Sequence, residues 1–183
     1  MIIAAIDVET TGFRSTHVVT QVAGAVVDVE SCSISHPIHF RIHLTEDEVA
    51  AADAEALAIT KWTPEDNAQA TPREEAVRQF DAWMHTTRPG LTIAHNATFD
   101  RRMCVAGRLI HQEVPWACTM KGLKEFQKLH RRQLPDNKLS TLAELCGYQQ
   151  TAAHVSALDD AYVVANGLLY LLSTGVPVDR MRL

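Results

Sequence analysis

The sequence opens with MIIAAIDVETTG, residues 1–12, and this segment predicts the central strand of a sheet. The apolar residues 2–6 precede two carboxylates one position apart, Asp7 and Glu9, and then two threonines and a glycine. Side chains at i and i+2 of a strand point to the same face, so Asp7 and Glu9 should project side by side. Paired carboxylates repel each other and lose hydration, and a divalent cation such as Mg²⁺ would offset both costs. A strand that simply ends in a polar turn also fits these residues, so later segments have to decide.

Length and composition predict one domain over residues 1–183. Apolar residues make up 46% of the 183 residues and charged residues 21%, which is typical of a soluble globular protein. The net charge of −5 does not by itself indicate nucleic acid, so a nucleic-acid partner would require a local basic surface and bound metal. The four cysteines form no CxxC pair, the first residues lack the charged region typical of a signal peptide, and no apolar run is long enough to span a membrane. We therefore expect a cytoplasmic protein that does not bind membranes.

Further strands follow the opening one. The apolar, β-branched residues 18–29 and the alternating residues 33–43 predict two more strands, so the first three should form an antiparallel meander. Pro37 predicts that the third strand lies at an edge or carries a bulge. The short apolar run at 91–94 predicts another strand, and the predicted sheet has about five strands in all.

Helices alternate with the later strands. Thr45 and Glu48 form a capping-box pattern that predicts a helix through the alanine-rich run to Leu57. Capping and apolar periodicity predict other helices over residues 72–87, 97–110, 120–130, 140–147 and 156–173. We expect Ser140 or Thr141 to cap the fourth of these. Strands first, then helices alternating with strands, predict an α/β fold with a mixed sheet and helices on both faces.

Two more acidic positions lie where predicted elements begin. Asp100 follows the strand at 91–94, and Asp159 and Asp160 lie in the first turn of the last helix, shortly after His154. A single aspartate near a helix start is usually explained by the helix dipole. The combination with Asp7 and Glu9 carries more weight than any one of these residues.

Taken together, three segments resemble the motifs of the DEDDh exonuclease family, a ribonuclease-H-like group that includes RNase T, oligoribonuclease and bacterial proofreading subunits. The segments are DVETTG at 7–12, HNATFD at 95–100, and His154 followed by Asp159-Asp160, in the family's order. The likeness is strongest to the exodeoxyribonuclease X type, since it extends to AHNATFDRRM at 94–103 and ACTMK at 117–121.

This resemblance implies a ribonuclease-H-like fold and a metal-dependent 3′→5′ exonuclease that releases nucleoside 5′-monophosphates. It implies that Asp7, Glu9, Asp100 and Asp160 bind two Mg²⁺ or Mn²⁺ ions, and that His154 is the general base. Single-stranded DNA or a 3′ overhang is the expected partner. RNA trimming of the RNase T or oligoribonuclease type is one alternative, and a non-catalytic nucleic-acid-binding or proofreading module is another.

The third motif departs from the family pattern by one residue. The family places its histidine five positions before the last aspartate, and counting from His154 gives Asp159. Alignment of residues 157–158 and the helix after them gives Asp160 instead, with one residue inserted after His154. A loop accepts an insertion that a helix does not, because each added helical residue rotates all later ones by about 100°. We therefore favour Asp160 as the metal ligand, with Asp159 as the second choice.

The resemblance also implies seven substrate contacts: Thr10, Thr11, Gly12, Phe13, His95, Asn96 and Phe99. The first three would lie against the terminal nucleotide, where small residues permit close approach. His95 and Asn96 would lie near the scissile phosphate. The two phenylalanines would pack on sugar or base, or else belong to the core.

Cationic residues cluster in two places despite the negative net charge. Arg101 and Arg102 follow the second motif directly. A larger group shares one face of a predicted helix: Lys121, Lys124, Lys128, Arg131 and Arg132. A charge run of this kind is either a solvated face or a surface that contacts phosphates.

Overall fold

The computed structural model describes residues 1–111, 113–150 and 156–183. Its centre is a five-stranded sheet in the order β3-β2-β1-β4-β5. The strands are β1 (Ile2–Thr10), β2 (Val19–Asp28), β3 (Ser33–Arg41), β4 (Leu91–Ala94) and β5 (Trp116–Cys118). The first three pair antiparallel, whereas β1, β4 and β5 run parallel. The predicted meander and mixed sheet are therefore confirmed, and β3, with Pro37, lies at an edge of the sheet.

Helices fill most of the rest of the described chain. They are α1 (Glu46–Ala50), α2 (Ala54–Ile59), α3 (Pro64–Ala68), α4 (Arg73–Thr87), α5 (Ala97–Ala106), α6 (Thr119–His130), α7 (Leu139–Cys146) and α8 (Ala157–Ser173), with a 3-10 turn at Val178–Arg180. None of these helices is both long enough and apolar enough to cross a lipid bilayer.

The alternation of side chains along β1 produces two buried layers. Ile3 and Ala5 pack on one face of the sheet with residues of α6, α7 and α8. Ala4 and Ile6 pack on the other face with residues of α4 and α5. A strand covered on both faces reads as a continuous apolar run, which explains the composition of residues 2–6. The prediction of helices on both faces is confirmed.

One predicted helix is interrupted. The capping box forms, because the Thr45 hydroxyl accepts the Glu48 N–H at 3.3 Å, but α1 ends at Ala50 and α2 begins only at Ala54. Asp53 between them has an extended backbone, and its N–H donates to the Thr11 carbonyl at 2.8 Å. A tertiary hydrogen bond thus overrides the helical tendency of the alanine-rich run and lays α2 across the end of β1.

The predicted cap of α7 is wrong. The helix begins at Leu139 with Lys138 at the cap position, upstream of both Ser140 and Thr141. The Thr141 hydroxyl instead donates to the Asp136 carboxylate at 2.5 Å. The threonine therefore ties the helix to the preceding loop from within its first turn.

Candidate active site

The end of β1 projects beyond its parallel neighbour. The last register pair between β1 and β4 is Ala5 with Ile93, whereas β1 continues to Thr10. Asp7 and Glu9 continue the odd-numbered face of the strand, which is the face that α8 covers. Both carboxylates are therefore directed toward the first turn of α8.

Asp160 completes a group of three carboxylates at this point. Side-chain oxygens of Asp7, Glu9 and Asp160 all lie within 4.8 Å of one another, and Asp160 is 1% exposed. Asp159 is directed elsewhere, since its carboxylate accepts the Tyr148 hydroxyl at 2.9 Å. Of the two adjacent aspartates, the structure brings Asp160 to the group.

Asp100 approaches from the opposite layer of the sheet. It lies in the first turn of α5 and is 3% exposed, and its carboxylate accepts a hydrogen bond from the Val8 backbone. The N-terminus of α5 therefore lies beside the part of β1 that extends beyond β4. Four acidic side chains from three distant segments of the chain converge there.

The electrostatics of these carboxylates favour a bound cation. Burial, followed by repulsion from Asp100, Asp160 and Glu9, raises the pKa of Asp7 well above its ordinary value. Burial is also the main cause of the raised pKa of Asp100. Ionising these two groups next to two further carboxylates costs free energy unless positive charge is nearby. An all-oxygen donor set of this kind suits a hard divalent ion, so these residues fit the metal that the sequence predicts.

Two residues ahead of α8 hold the adjacent aspartates. The Gln150 side-chain amide donates to Asp160 at 2.6 Å, and the Tyr148 hydroxyl donates to Asp159. Burial and the neighbouring Asp159 raise the pKa of Tyr148 to about 12, so the phenol remains a donor. The sequence analysis missed both residues, because only the fold brings the segment after α7 against α8.

A cleft of about 660 Å³ opens above the carboxylates. One wall comes from α2 and includes Asp53, Glu55 and Ile59. The other wall comes from the start of α5 and includes Asn96 and Phe99. Sequence reasoning missed the α2 wall, since no local pattern indicates that this short helix would face the carboxylates.

Thr10 and Gly12 form the floor of the cleft, whereas Thr11 between them is 1% exposed and does not line it. The Thr10 hydroxyl donates to the Gly12 carbonyl at 2.8 Å, and the Thr11 hydroxyl accepts the Val18 N–H at 3.0 Å. Gly12 has φ +146°, and a Cβ at this position would collide with the His17 ring and the Asp53 carboxylate. Glycine is therefore required here by the backbone as well as by the close approach.

Phe13 and Phe99 lie together at the mouth of the cleft. Phe13 is 76% exposed, and its ring centre lies 5.5 Å from that of Phe99, which is half-buried against the α4–α5 layer. The sequence left open whether each phenylalanine contacts substrate or belongs to the core. Core packing is excluded for Phe13 and applies in part to Phe99.

His95 and Asn96 both line the cleft. Asn96 is exposed at the start of α5, with a left-handed backbone. His95 is bound on both ring nitrogens, at 2.9 Å to the Thr119 hydroxyl and at 2.8 Å to the Asn137 carbonyl. A ring held in this way fixes the loop before α7 to the end of β4. His154, the predicted base, lies outside the described residues.

Comparison with known proteins gives both a family and a fold. A family model described as RNase_T, exonuclease, matches residues 4–168. Among curated proteins, no sequence gives a significant match. Solved structures match at low sequence identity, so they bear on the fold alone.

The nuclease domain of 3′hExo, a DEDDh family member solved with rAMP, has 16% identity and a TM-score of 0.75, covering 97% of this chain and 94% of that one. The cell-death related nuclease CRN-4 has 13% identity and a TM-score of 0.77, covering 95% of this chain and 64% of that one. Exonuclease I from E. coli, in complex with a dT13 oligonucleotide, has 18% identity and a TM-score of 0.74, covering 96% of this chain and 41% of that one.

These matches confirm the predicted ribonuclease-H-like architecture. The chain spans well under two thirds of Exonuclease I and slightly under two thirds of CRN-4. The family model covers most of residues 1–183 and includes all four converging carboxylates. The chain belongs to the RNase_T family of exonucleases, and the prediction of an exonuclease enzyme is confirmed.

Proposed function

We propose that the chain acts as a single-domain, metal-dependent 3′→5′ exonuclease on single-stranded DNA or 3′ overhangs and releases nucleoside 5′-monophosphates. The observation that carries this proposal is the group formed by Asp7, Glu9 and Asp160 within 4.8 Å, with buried Asp100 beside it, in a member of an exonuclease family. The resemblance of residues 94–103 and 117–121 to the exodeoxyribonuclease X type favours DNA over RNA.

The four carboxylates would hold two Mg²⁺ or Mn²⁺ ions. When bound there, such ions would supply Lewis-acid stabilisation of the attacking and leaving oxygens at phosphorus. Buried side chains and short hydrogen bonds fix Asp100 and Asp160 before substrate arrives, so little reorganisation is needed during the reaction. Asp160 is the preferred fourth ligand, and Asp159 serves to hold Tyr148.

The remaining residues would bind the strand and move the proton. The floor formed by Thr10 and Gly12 would admit the terminal nucleotide because it carries no bulky side chain. Phe13 offers an exposed ring on which an unpaired base can stack. His154, placed by sequence near Asp160, would accept the proton of the attacking water as general base.

RNA is the second candidate substrate. The similar nuclease domain of 3′hExo was solved with rAMP, whereas Exonuclease I was solved with a DNA oligonucleotide. The same fold thus accepts either sugar in those proteins. The complete acidic set argues against a non-catalytic module, because such a module has no need of four converging carboxylates. The four free cysteines agree with a reducing compartment such as the cytoplasm.

Digestion of 5′-labelled oligomers tests the proposal. Single- and double-stranded DNA and RNA would be incubated with Mg²⁺, with Mn²⁺ and with EDTA, beside an Asp7→Asn control. We expect a ladder of 5′-labelled products shortened from the 3′ end, most rapidly on single-stranded DNA, and none with EDTA or the variant. Removal of the labelled nucleotide first would exclude the proposed polarity, and equal activity of Asp7→Asn would exclude the proposed metal site.

A further inference from the structure

A shallow groove of about 480 Å³ runs along the outer side of α5. It is lined by Thr98, Arg101, Arg102, Val105, Ala106 and Leu183. Two of these six residues are arginines, and none of the six, all within the described part of the chain, has a carboxylate side chain. In a protein with a net charge of −5, such a surface is a local exception.

Arg102 connects this groove to the catalytic cleft. Its guanidinium donates to the Phe13 carbonyl at 2.9 Å and lies 5.3 Å from the centre of the Phe99 ring. The side chain that lines one end of the groove therefore also supports the aromatic pair at the mouth of the cleft. A polymer that leaves the cleft past Phe13 meets the groove directly.

The charges of the two cleft walls favour this exit. The α2 wall carries Asp53 and Glu55, which repel a phosphate chain. The opposite wall leads along α5 to Arg101 and Arg102, whose guanidinium groups match phosphate oxygens. Close to the acidic centre, this difference between the walls directs a polyanion toward α5.

The other basic surface, on α6, is less suited to the same role. The described residues that line the cleft include Phe99 and Asp100 of α5 but none from α6. A strand that leaves the cleft past Phe13 therefore meets α5 first.

We propose that the groove along α5 binds the sugar–phosphate backbone of the single strand upstream of its 3′ end. This inference rests on the proposed exonuclease activity and extends it. Arg101 and Arg102 contact phosphates, while Val105 and Ala106 leave room for the backbone to pass. The groove therefore raises the affinity for strands long enough to reach it, without taking part in the hydrolysis of the terminal bond.

The test compares substrates of different length. The kcat/KM ratio would be measured for 5′-labelled oligothymidylates from a dinucleotide to about fifteen nucleotides. Arg101→Gln removes a cation, and Ala106→Glu adds a carboxylate at an exposed position of the groove. Lys124→Gln on α6 and Ala82→Glu on α4 make the same charge changes on other exposed helix positions. Each variant's thermal unfolding reports whether it is folded.

We expect both groove variants to lose roughly tenfold more kcat/KM on the long strand than on the dinucleotide. The slope of log KM against log salt should fall by about 0.7 for the lost phosphate contact in Arg101→Gln. The two controls should leave the long-to-short ratio as in the wild type. The proposed role of the groove would be refuted if the groove variants lost kcat/KM equally on both lengths or not at all, or if Lys124→Gln had the larger effect. None of these results would contradict the exonuclease activity itself. A wild type that digests no oligomer would instead overturn the proposed function, and the groove with it.

Discussion

Asp159 and Asp160 are adjacent in the sequence, yet their carboxylates contact different partners. Successive helical residues point about 100° apart, so the two side chains cannot face the same ion equally. Asp160 is directed to Asp7 and Glu9, whereas Asp159 accepts the hydroxyl of Tyr148. The first contact belongs to the proposed metal site, and the second fixes the segment that leads into α8.

We therefore expect the two aspartates to respond differently to substitution. Asp160→Asn should lower kcat by at least about 100-fold, since a metal ligand is lost. Asp159→Asn should lower kcat by less than about tenfold and destabilise the fold by about 1–2 kcal/mol, as should Tyr148→Phe. Steady-state kinetics and urea unfolding measure both effects. A larger loss of kcat in Asp159→Asn would assign the last ligand to Asp159.

A second prediction concerns the exposed ring of Phe13. Phe13→Ala should raise KM for single-stranded oligomers by about tenfold, because base stacking on an aromatic ring contributes roughly 1–3 kcal/mol. Leu129→Ala is the matched control, since Leu129 is another exposed apolar side chain and lies at the far end of α6. Similar KM values for both variants would show that Phe13 does not contact the strand.

The turn after β1 shows how one short segment positions several parts of the cleft. The Thr11 carbonyl accepts the Asp53 N–H, which holds α2 over the strand end, and Gly12 leaves space for the buried His17 ring. The Nδ1 atom of His17 in turn accepts the Arg14 N–H at 3.0 Å. The positions of the cleft floor and of the α2 wall therefore depend on each other.

Replacing Gly12 tests this dependence. Gly12→Ala forces a side chain into a positive-φ backbone and into contact with His17 and Asp53, so we expect at least about 3 kcal/mol of destabilisation and a strong loss of activity. Gly147→Ala is the control, because Gly147 also has a positive φ, +71°, but a Cβ there meets nothing within 4 Å. It should cost only about 1 kcal/mol. Equal unfolding free energies for the two variants would contradict the packing argument.

Local sequence signals predict those features that local geometry determines. The two-residue period of β1 places Asp7 and Glu9 on one face, and the argument that a helix resists insertion favours Asp160 over Asp159. The same reasoning cannot find the break at Asp53, because a backbone hydrogen bond to Thr11 causes it. It cannot find the contact of Gln150 with Asp160 either, since that contact exists only when α8 docks on the sheet.

The charge of the cleft should couple stability to both pH and metal. The folded-state pKa values of Asp7 and Asp100 are raised, so these groups favour the fold when protonated. That contribution is present below their unfolded pKa of about 4 and is lost as pH rises through the raised values. Metal ions bind the ionised carboxylates and should recover the lost stability.

We expect Mn²⁺ or Mg²⁺ to raise the Tm more at about pH 8 than at about pH 5 in thermal denaturation. Asp7→Asn should have a higher metal-free Tm than the wild type at the higher pH and a much smaller shift with metal. Asp159→Asn, which leaves the carboxylate group complete, should keep the full shift. A metal-induced shift of equal size at both pH values would contradict this coupling.

The dispersal of the four carboxylates along the chain has a consequence for biosynthesis. Asp7 and Glu9 leave the ribosome first, Asp100 follows after most of the sheet, and Asp160 arrives only with α8, the last long helix. Because domains fold as their segments emerge, a nascent chain holds an incomplete acidic group until α8 has left the ribosome. We therefore expect no nuclease activity before α8 docks on β1 and β2. In refolding experiments, activity should therefore return together with the slowest structural signal and not before it.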